Sequence, residues 1–148
     1  MAQKWWTLGA VLGLAYWFFG NLYEAIVFSP NWVVDTPAQM ARLDEFFVNT
    51  GPTLYFVPLT MVTCVLVWVL LLVNREPSVR RDYRRAGVAA LVLTVLNAVI
   101  VTTVVTKLFS VDGDRTLAWT WNGLNVVRMV LTATTATFLF NAFRRLDR

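Results

Sequence analysis

Long apolar runs separated by short polar segments dominate this chain. Four runs reach the roughly 20 residues that a helix needs to cross the hydrocarbon core of a bilayer. They cover about residues 5–28, 52–73, 86–108 and 119–143. A backbone in lipid must satisfy its own hydrogen bonds, and the Val-rich third run is too long and too irregular to be a lipid-facing strand. The pattern therefore predicts an all-α fold, an integral membrane four-helix bundle that forms a single domain over residues 1–148.

The composition agrees with a membrane protein and limits its chemistry. Hydrophobic residues make up 57% of the 148 residues, more than a soluble chain of this length can bury. Cys64 is the single cysteine, which excludes an internal disulfide and a CxxC redox pair. The chain has no histidine, and it carries no nucleotide-binding motif. We therefore expect neither a cofactor nor a metal.

The charges indicate an orientation. One side of the predicted bundle collects nine cations, which are Lys4, Arg75, Arg80, Arg81, Arg84, Arg85, Arg144, Arg145 and Arg148. The other side carries Asp35, Asp44, Glu45, Asp112 and Asp114 together with Arg42 and Arg115. Positive residues mark the cytoplasmic side of a span. The charges predict a multi-pass protein of the cell (inner or plasma) membrane, with both termini and the 74–85 loop in the cytoplasm. We expect these cations to set the topology and to meet membrane lipid, with no nucleic acid as partner.

The first outer loop, residues 29–51, predicts a short helix of its own. In its segment DTPAQMARLDEFF, Asp35 or Thr36 suits an N-cap and Pro37 suits the first helical position. Its apolar residues then recur at helical spacing. This pattern is typical of a short interfacial helix on the outer leaflet that covers the mouth of the bundle, although an ordinary packed loop fits equally well.

Polar residues inside the spans are the candidates for function. Arg128 lies nine residues into the last run, about 13 Å below the surface. A central arginine costs at least ~2.5–3.5 kcal/mol on insertion scales, which disfavours a lipid-facing position. Asn122 and Asn125 precede it at a spacing of three. In the first run, Glu24 and Asn21 share a helix face with Trp17.

We therefore predict an inward-facing cluster in the outer half of the bundle. Glu24 is expected to be the counter-ion of Arg128, bridged by four asparagines, which are Asn21, Asn97, Asn122 and Asn125. Trp17, Tyr55 and Trp121 complete the candidate substrate-binding set, although Tyr55 and Trp121 also suit an aromatic belt. The cluster fits either a functional pocket or a clamp that fixes the register of the helices.

If the cluster is a functional pocket, its residues indicate acid–base chemistry. A carboxylate in a dry site can serve as a general base. A guanidinium with amide donors can stabilise an enolate or phenolate oxygen. Glu24 and Arg128, as the catalytic pair, therefore suit proton abstraction next to a carbonyl in a lipophilic substrate.

The layout and the last span resemble a known family. Trp121, Leu124, Asn125 and Arg128, followed by an Ala/Thr/Leu-rich stretch, resemble the small four-helix anthrone oxygenase-like membrane proteins, and the VVTKLF exit of the third span is similar too. The resemblance implies a cofactor-free oxygenase, cyclase or isomerase that acts on a polyketide-like or aromatic metabolite of secondary metabolism. Members often carry a histidine near the position of Asn125, which this chain lacks.

Two other functions stay open. The chain could be a transporter or binding protein for a small hydrophobic or cationic solute. The strong charge bias argues against one such class, the dual-topology small multidrug transporters. It could also be a structural or accessory subunit whose cluster only packs helices. Spans that bury little against one another also leave room for a homo-oligomer.

Overall fold

A computed structural model describes residues 2–110 and 113–146. Within these ranges the chain forms five helices. They are α1 (Ala2–Trp32), α2 (Thr36–Phe46), α3 (Pro52–Val73), α4 (Pro77–Leu108) and α5 (Arg115–Arg145). All except α2 are long and apolar enough to cross a membrane. The protein is a multi-pass membrane protein, and the predicted all-α four-helix bundle is confirmed.

Three of the four spans are longer than their apolar runs. The helix α1 begins at Ala2 and continues to Trp32, and α5 covers Arg115–Arg145. The helix α4 begins at Pro77, so that most of the predicted 74–85 loop is helical. Hydropathy marks only the apolar part of a span. The polar turns at its ends remain helical because they are capped and because one of their faces is buried. The charges assigned to Asp112, Asp147 and Arg148 lie outside the described residues.

The four spans form a closed ring. The helix α5 packs against α1 and α4, and α3 closes the ring between those same two helices. We call the end that holds Ala2, residues 74–76 and Arg145 the terminal end, and the opposite end the loop end. Small residues let α1 approach α3, because Gly13 faces Thr63 and Gly20 faces the Phe56 ring.

Two apolar cores fill the ring at different depths. Toward the terminal end, fully buried residues from all four spans pack together, including Leu14, Val67, Leu93 and Leu139. A second core near the loop end contains Ile100, Leu108 and Trp121 with residues of α2. The first core closes the bundle toward the terminal end, so any internal site must open elsewhere.

Both α1 and α4 contain a π-helical turn in their loop-end halves. These turns cover Glu24–Phe28 in α1 and Ile100–Val105 in α4. Each widens the helix locally, and such bulges are frequent at functional sites. Nothing in the apolar periodicity predicted them.

The helix α2 confirms that the first long loop has helical structure, but its start differs from the prediction. Asp35 adopts a left-handed conformation with φ 61°, and its side chain makes no capping bond. The Thr36 hydroxyl instead donates to the backbone oxygen of Trp32 at 2.6 Å. Aspartate tolerates this conformation better than most residues, and the turn carries α2 back across the loop end. Met40, only 5% exposed, packs there in the second core, so that α2 covers the bundle.

Candidate functional site

The centre of the site is the guanidinium of Arg128, which three asparagines hold. Its Nη1 donates to Asn97 Oδ1 at 3.0 Å. Its Nη2 donates to Asn125 Oδ1 at 2.7 Å and also to Asn21 Oδ1, and Nε donates to Asn125 Oδ1 at 3.2 Å. The network thereby joins α1, α4 and α5. Arg128 is 7% exposed, so the sequence prediction of an inward-facing arginine with amide partners agrees with the structure.

The asparagines are themselves fixed by backbone groups. Asn21 donates from Nδ2 to the backbone oxygen of Trp17 at 2.8 Å, and Asn125 donates to the backbone oxygen of Asn21 at 3.2 Å. With their NH₂ groups so engaged, both amides turn their oxygens toward the guanidinium. Arginine has five N–H donors, and these contacts use four of them. One N–H of Arg128 Nη1 has no partner among residues 2–110 and 113–146.

Glu24 has a different position from the one predicted. It is 8% exposed and borders the same cavity as Arg128. The two groups are close enough to interact electrostatically. Within the described part of the chain, however, its carboxylate forms neither an ion pair with Arg128 nor a side-chain hydrogen bond. The expected direct counter-ion contact is absent, and the asparagines instead take four of the five N–H donors of the guanidinium.

Asn122 and Tyr55 also lie apart from the site. Asn122 does not reach the Arg128 network, and its Oδ1 is buried without a hydrogen-bond partner among the described residues. At 100° per residue, Asn122 is about 120° around α5 from Arg128, whereas Asn125 is only about 60° away. Tyr55 is 48% exposed and stacks on Tyr16, with ring centroids 4.6 Å apart, on the outside of the bundle.

A cavity of about 450 Å³ begins at this polar cluster and runs toward the loop end. Its polar wall contains Glu24, Asn97 and Arg128, and most of the remaining wall is apolar. Drug-sized ligands occupy pockets of about 300–1,000 Å³ with few polar groups, so the cavity has a suitable size and lining. Of the predicted aromatic residues, Trp17 and Trp121 line it.

Two tryptophans and the guanidinium form one side of the cavity. The rings of Trp32 and Trp121 lie 4.6 Å apart between centroids, and the guanidinium carbon of Arg128 lies 5.9 Å from the Trp121 centroid. Both rings are at most 6% exposed. Trp121 therefore does not lie in an exposed aromatic belt, whereas Trp119, at 57% exposed, fits such a belt. Planar aromatic walls suit a planar, lipophilic ligand.

Several lining residues were not predicted. They come from α2, from the start of α3 and from the π-helical turn of α4, and include Leu43, Asp44, Phe56, Val57, Val101 and Val105. Apart from Asp44 these residues are apolar, and apolar residues carry no chemical signal in a sequence of apolar spans. Pro52 and Phe56 lie one turn apart on α3, and only the register of that helix against Gly20 places Phe56 at the cavity.

The cavity reaches the side of the bundle as well as its end. Val57 of α3 and Val101 of α4 both line it, and both are more than 40% exposed. The two helices therefore leave a gap in their loop-end halves. Both valines lie within the apolar spans, so a bilayer around the bundle would place the gap against lipid.

The site's donors limit its chemistry. No group of three or more His, Cys, Asp or Glu side chains suited to a metal occurs within the described ranges. The arrangement instead offers a fixed cation with one free N–H and an unpartnered carboxylate across an apolar chamber. Comparisons with protein-family models, with curated proteins and with solved structures found no match to this chain.

Proposed function

We propose that this protein is a small membrane enzyme that binds a lipophilic aromatic metabolite in the cavity and moves a proton with Glu24. The single observation that carries the proposal is the state of Glu24, which is buried, borders the cavity and has no hydrogen-bond or ion-pair partner in the described protein. A buried ionisable group without a partner is costly, and within a membrane span such a group is by default a functional candidate.

The proposed step is abstraction of a proton from a carbon conjugated to a carbonyl. The C–H bond breaks, the proton passes to the Glu24 carboxylate, and the electron pair moves to the carbonyl oxygen. The Arg128 guanidinium, preorganised by its asparagines, stabilises the resulting enolate through its free N–H and its charge. Return of the proton to another carbon gives an isomerase. Attack of the enolate carbon on a second carbonyl of the substrate gives a cyclase, in which Glu24 returns the proton to the new alkoxide. Reaction of the enolate with O₂ gives a cofactor-independent oxygenase.

The resemblance to anthrone oxygenase-like proteins supplies a concrete probe. Anthrone has a methylene group conjugated through its aromatic rings to its carbonyl. With O₂ it gives anthraquinone and water: the methylene carbon loses two hydrogens and gains one oxygen, while the other oxygen leaves as water. Exchange of the methylene hydrogens with deuterium tests the proton step alone, and anthraquinone formation tests the oxygenase.

The experiment measures deuterium exchange into anthrone in D₂O with three detergent-solubilised proteins, which are the wild type, Glu24→Gln and Asp44→Asn. We expect the wild-type protein to accelerate exchange over the protein-free rate, and Glu24→Gln to lose most of that acceleration, by about 10²-fold or more. Asp44→Asn is the matched control, because Asp44 also lines the cavity but is exposed on α2. Equal exchange in wild type and Glu24→Gln would refute the proposed role of Glu24.

A binding or transport function predicts a different result from the same samples. Anthrone would then raise the thermal stability of the wild-type protein without accelerating exchange. A purely structural role predicts neither effect. The closed terminal-end core argues against a continuous path through the bundle and favours a site with openings on one side.

We also propose the orientation that the charges suggest, with both termini in the cytoplasm. Most of the described cations lie at the terminal end, including Arg75 and Arg144. The cavity then opens toward the outer face, with α2 lying on the outer leaflet. In this orientation a lipophilic substrate reaches Glu24 sideways from the outer half of the bilayer, through the gap between α3 and α4.

A further inference from the structure

A second cavity lies at the other end of the bundle, where α4 begins. It has a volume of about 710 Å³ and is bordered by exposed arginines of the first turns of α4, which are Arg80, Arg81, Arg84 and Arg85. No acidic residue lines it within the described ranges. Asp82 belongs to the same turns but faces the opposite way: it is 4% exposed and pairs with Arg145 at 3.1 Å. The four positive charges of this basic groove are therefore not neutralised within it.

The floor of the basic groove is apolar. Val88 and Phe138 line it, and the guanidinium carbon of Arg85 lies 5.7 Å from the centroid of the Phe138 ring. This cation–π contact holds the Arg85 head group over the groove. Arg81, Arg84 and Arg85 stand three and four residues apart, so their head groups share one face of α4. Planar guanidinium groups arranged in this way match the oxygens of a phosphate.

Phe138 also borders a third cavity, which continues the surface toward the middle of the membrane. This apolar groove, of about 510 Å³, lies between α1 and α5 and extends from Phe138 back to Val126. Twelve residues of helix correspond to about 18 Å, close to half of the roughly 30 Å hydrocarbon core. One residue thus joins a cationic groove at the membrane surface to an apolar groove about as long as one leaflet is thick.

We infer that the two grooves together bind one anionic phospholipid, with its phosphate on Arg81, Arg84 and Arg85 and an acyl chain along α5 past Phe138. The positive groove alone would accept a free phosphate, and the apolar groove alone would accept any lipid chain. Only an anionic lipid satisfies both. The site is separate from the Glu24 cavity, with which the two grooves share no lining residue, so the inference does not rest on the proposed enzyme.

The test is a binding titration of the detergent-solubilised protein by native mass spectrometry. Phosphatidylglycerol and phosphatidylcholine with identical acyl chains serve as the anionic and zwitterionic probes. We expect phosphatidylglycerol to bind at least tenfold more tightly, which corresponds to about 1.4 kcal/mol. The triple variant Arg81→Gln, Arg84→Gln, Arg85→Gln should lose that preference. Equal affinity for the two lipids in the wild type would overturn the inference.

The matched control removes the same number of charges from the loop end, in the variant Arg42→Gln, Lys107→Gln, Arg115→Gln. It should keep the preference for phosphatidylglycerol. A loss as large as that in the α4 variant would mean that net charge alone is responsible. Thermal unfolding in phosphatidylcholine checks that both variants fold, as the exposed positions predict.

Two further arms separate a lipid from a free anion. Inorganic phosphate, at the concentration at which phosphatidylglycerol saturates, should not raise the thermal midpoint. An equal rise with phosphate would show an anion site and refute the lipid. Phe138→Ala should weaken phosphatidylglycerol binding, because it removes the residue that the two grooves share, and unchanged affinity in this variant would refute the proposed path of the acyl chain.

Discussion

Replacement of Arg128 and of Glu24 should affect stability very differently. Arg128→Met keeps an unbranched side chain but removes every donor to the asparagines. The acceptor oxygens of Asn21 and Asn125 then lose their partner in residues that are 0% and 1% exposed. Each orphaned buried acceptor costs about 1–3 kcal/mol, so the variant should lose about 2–6 kcal/mol of unfolding free energy.

Glu24→Gln should leave stability almost unchanged. The substitution keeps the shape of the side chain and breaks no hydrogen bond or ion pair within the described protein, although it removes the charge interaction with Arg128. It also removes a buried charge. We therefore expect the unfolding free energy to stay within about 0.5 kcal/mol of wild type or to rise.

Reversible unfolding in mixed micelles, with increasing dodecyl sulfate and tryptophan fluorescence as the signal, measures both effects. The double variant completes the cycle. A coupling energy below about 1 kcal/mol is expected, since the two residues interact through their charges but form no hydrogen bond or ion pair. A loss in Glu24→Gln as large as in Arg128→Met, with a coupling of more than about 1 kcal/mol, would refute this reasoning, because it would reveal an ion-paired clamp.

Two other predictions follow from packing and from charge. A Cβ at Gly20 would lie 2.6 Å from the Phe56 ring, so Gly20→Ala should lower thermal stability and, by displacing a wall of the cavity, weaken the binding of anthrone. The control is Gly123→Ala, whose added Cβ would have nothing within 4 Å and which should be neutral or stabilising. Equal behaviour of the two variants would contradict the packing of α1 against α3. The topology can be tested by labelling single cysteines in a variant whose native Cys64 is replaced by serine. In intact cells, Glu45→Cys should react with a membrane-impermeant maleimide, whereas Arg75→Cys should react only after lysis. The reverse labelling would contradict the proposed topology.

The sequence predicted the spans because each is a run of apolar residues long enough to need no further signal. It also predicted that Arg128 turns inward among asparagines, since the cost of a lipid-facing arginine leaves few alternatives. The features that it missed depend on how each helix is rotated about its axis and shifted along its neighbours. Asn122 was grouped with Arg128 by its spacing of three, yet two such steps around a helix move it off the inward face.

The prediction of an ion pair between Glu24 and Arg128 was wrong for a different reason. A carboxylate and a guanidinium in the same half of a bundle suggest an ion pair, but the sequence does not show how many donors the asparagines will take. The π-helical turns, which place Glu24 and Val101 at the cavity, leave no trace in hydropathy because they change the helix by a single residue. Local backbone geometry of this kind is decided by tertiary packing.

The gap beside the cavity has a mechanical consequence for α3. Every buried residue described in that helix lies at or after Thr60, and its first turns pack against α1 at Tyr16 and Gly20. Pro58, at the boundary, removes a backbone hydrogen bond from the helix. Because these turns bury few residues, we expect thermal bending of α3 about Pro58 to alter the width of the gap while the terminal-end core moves less.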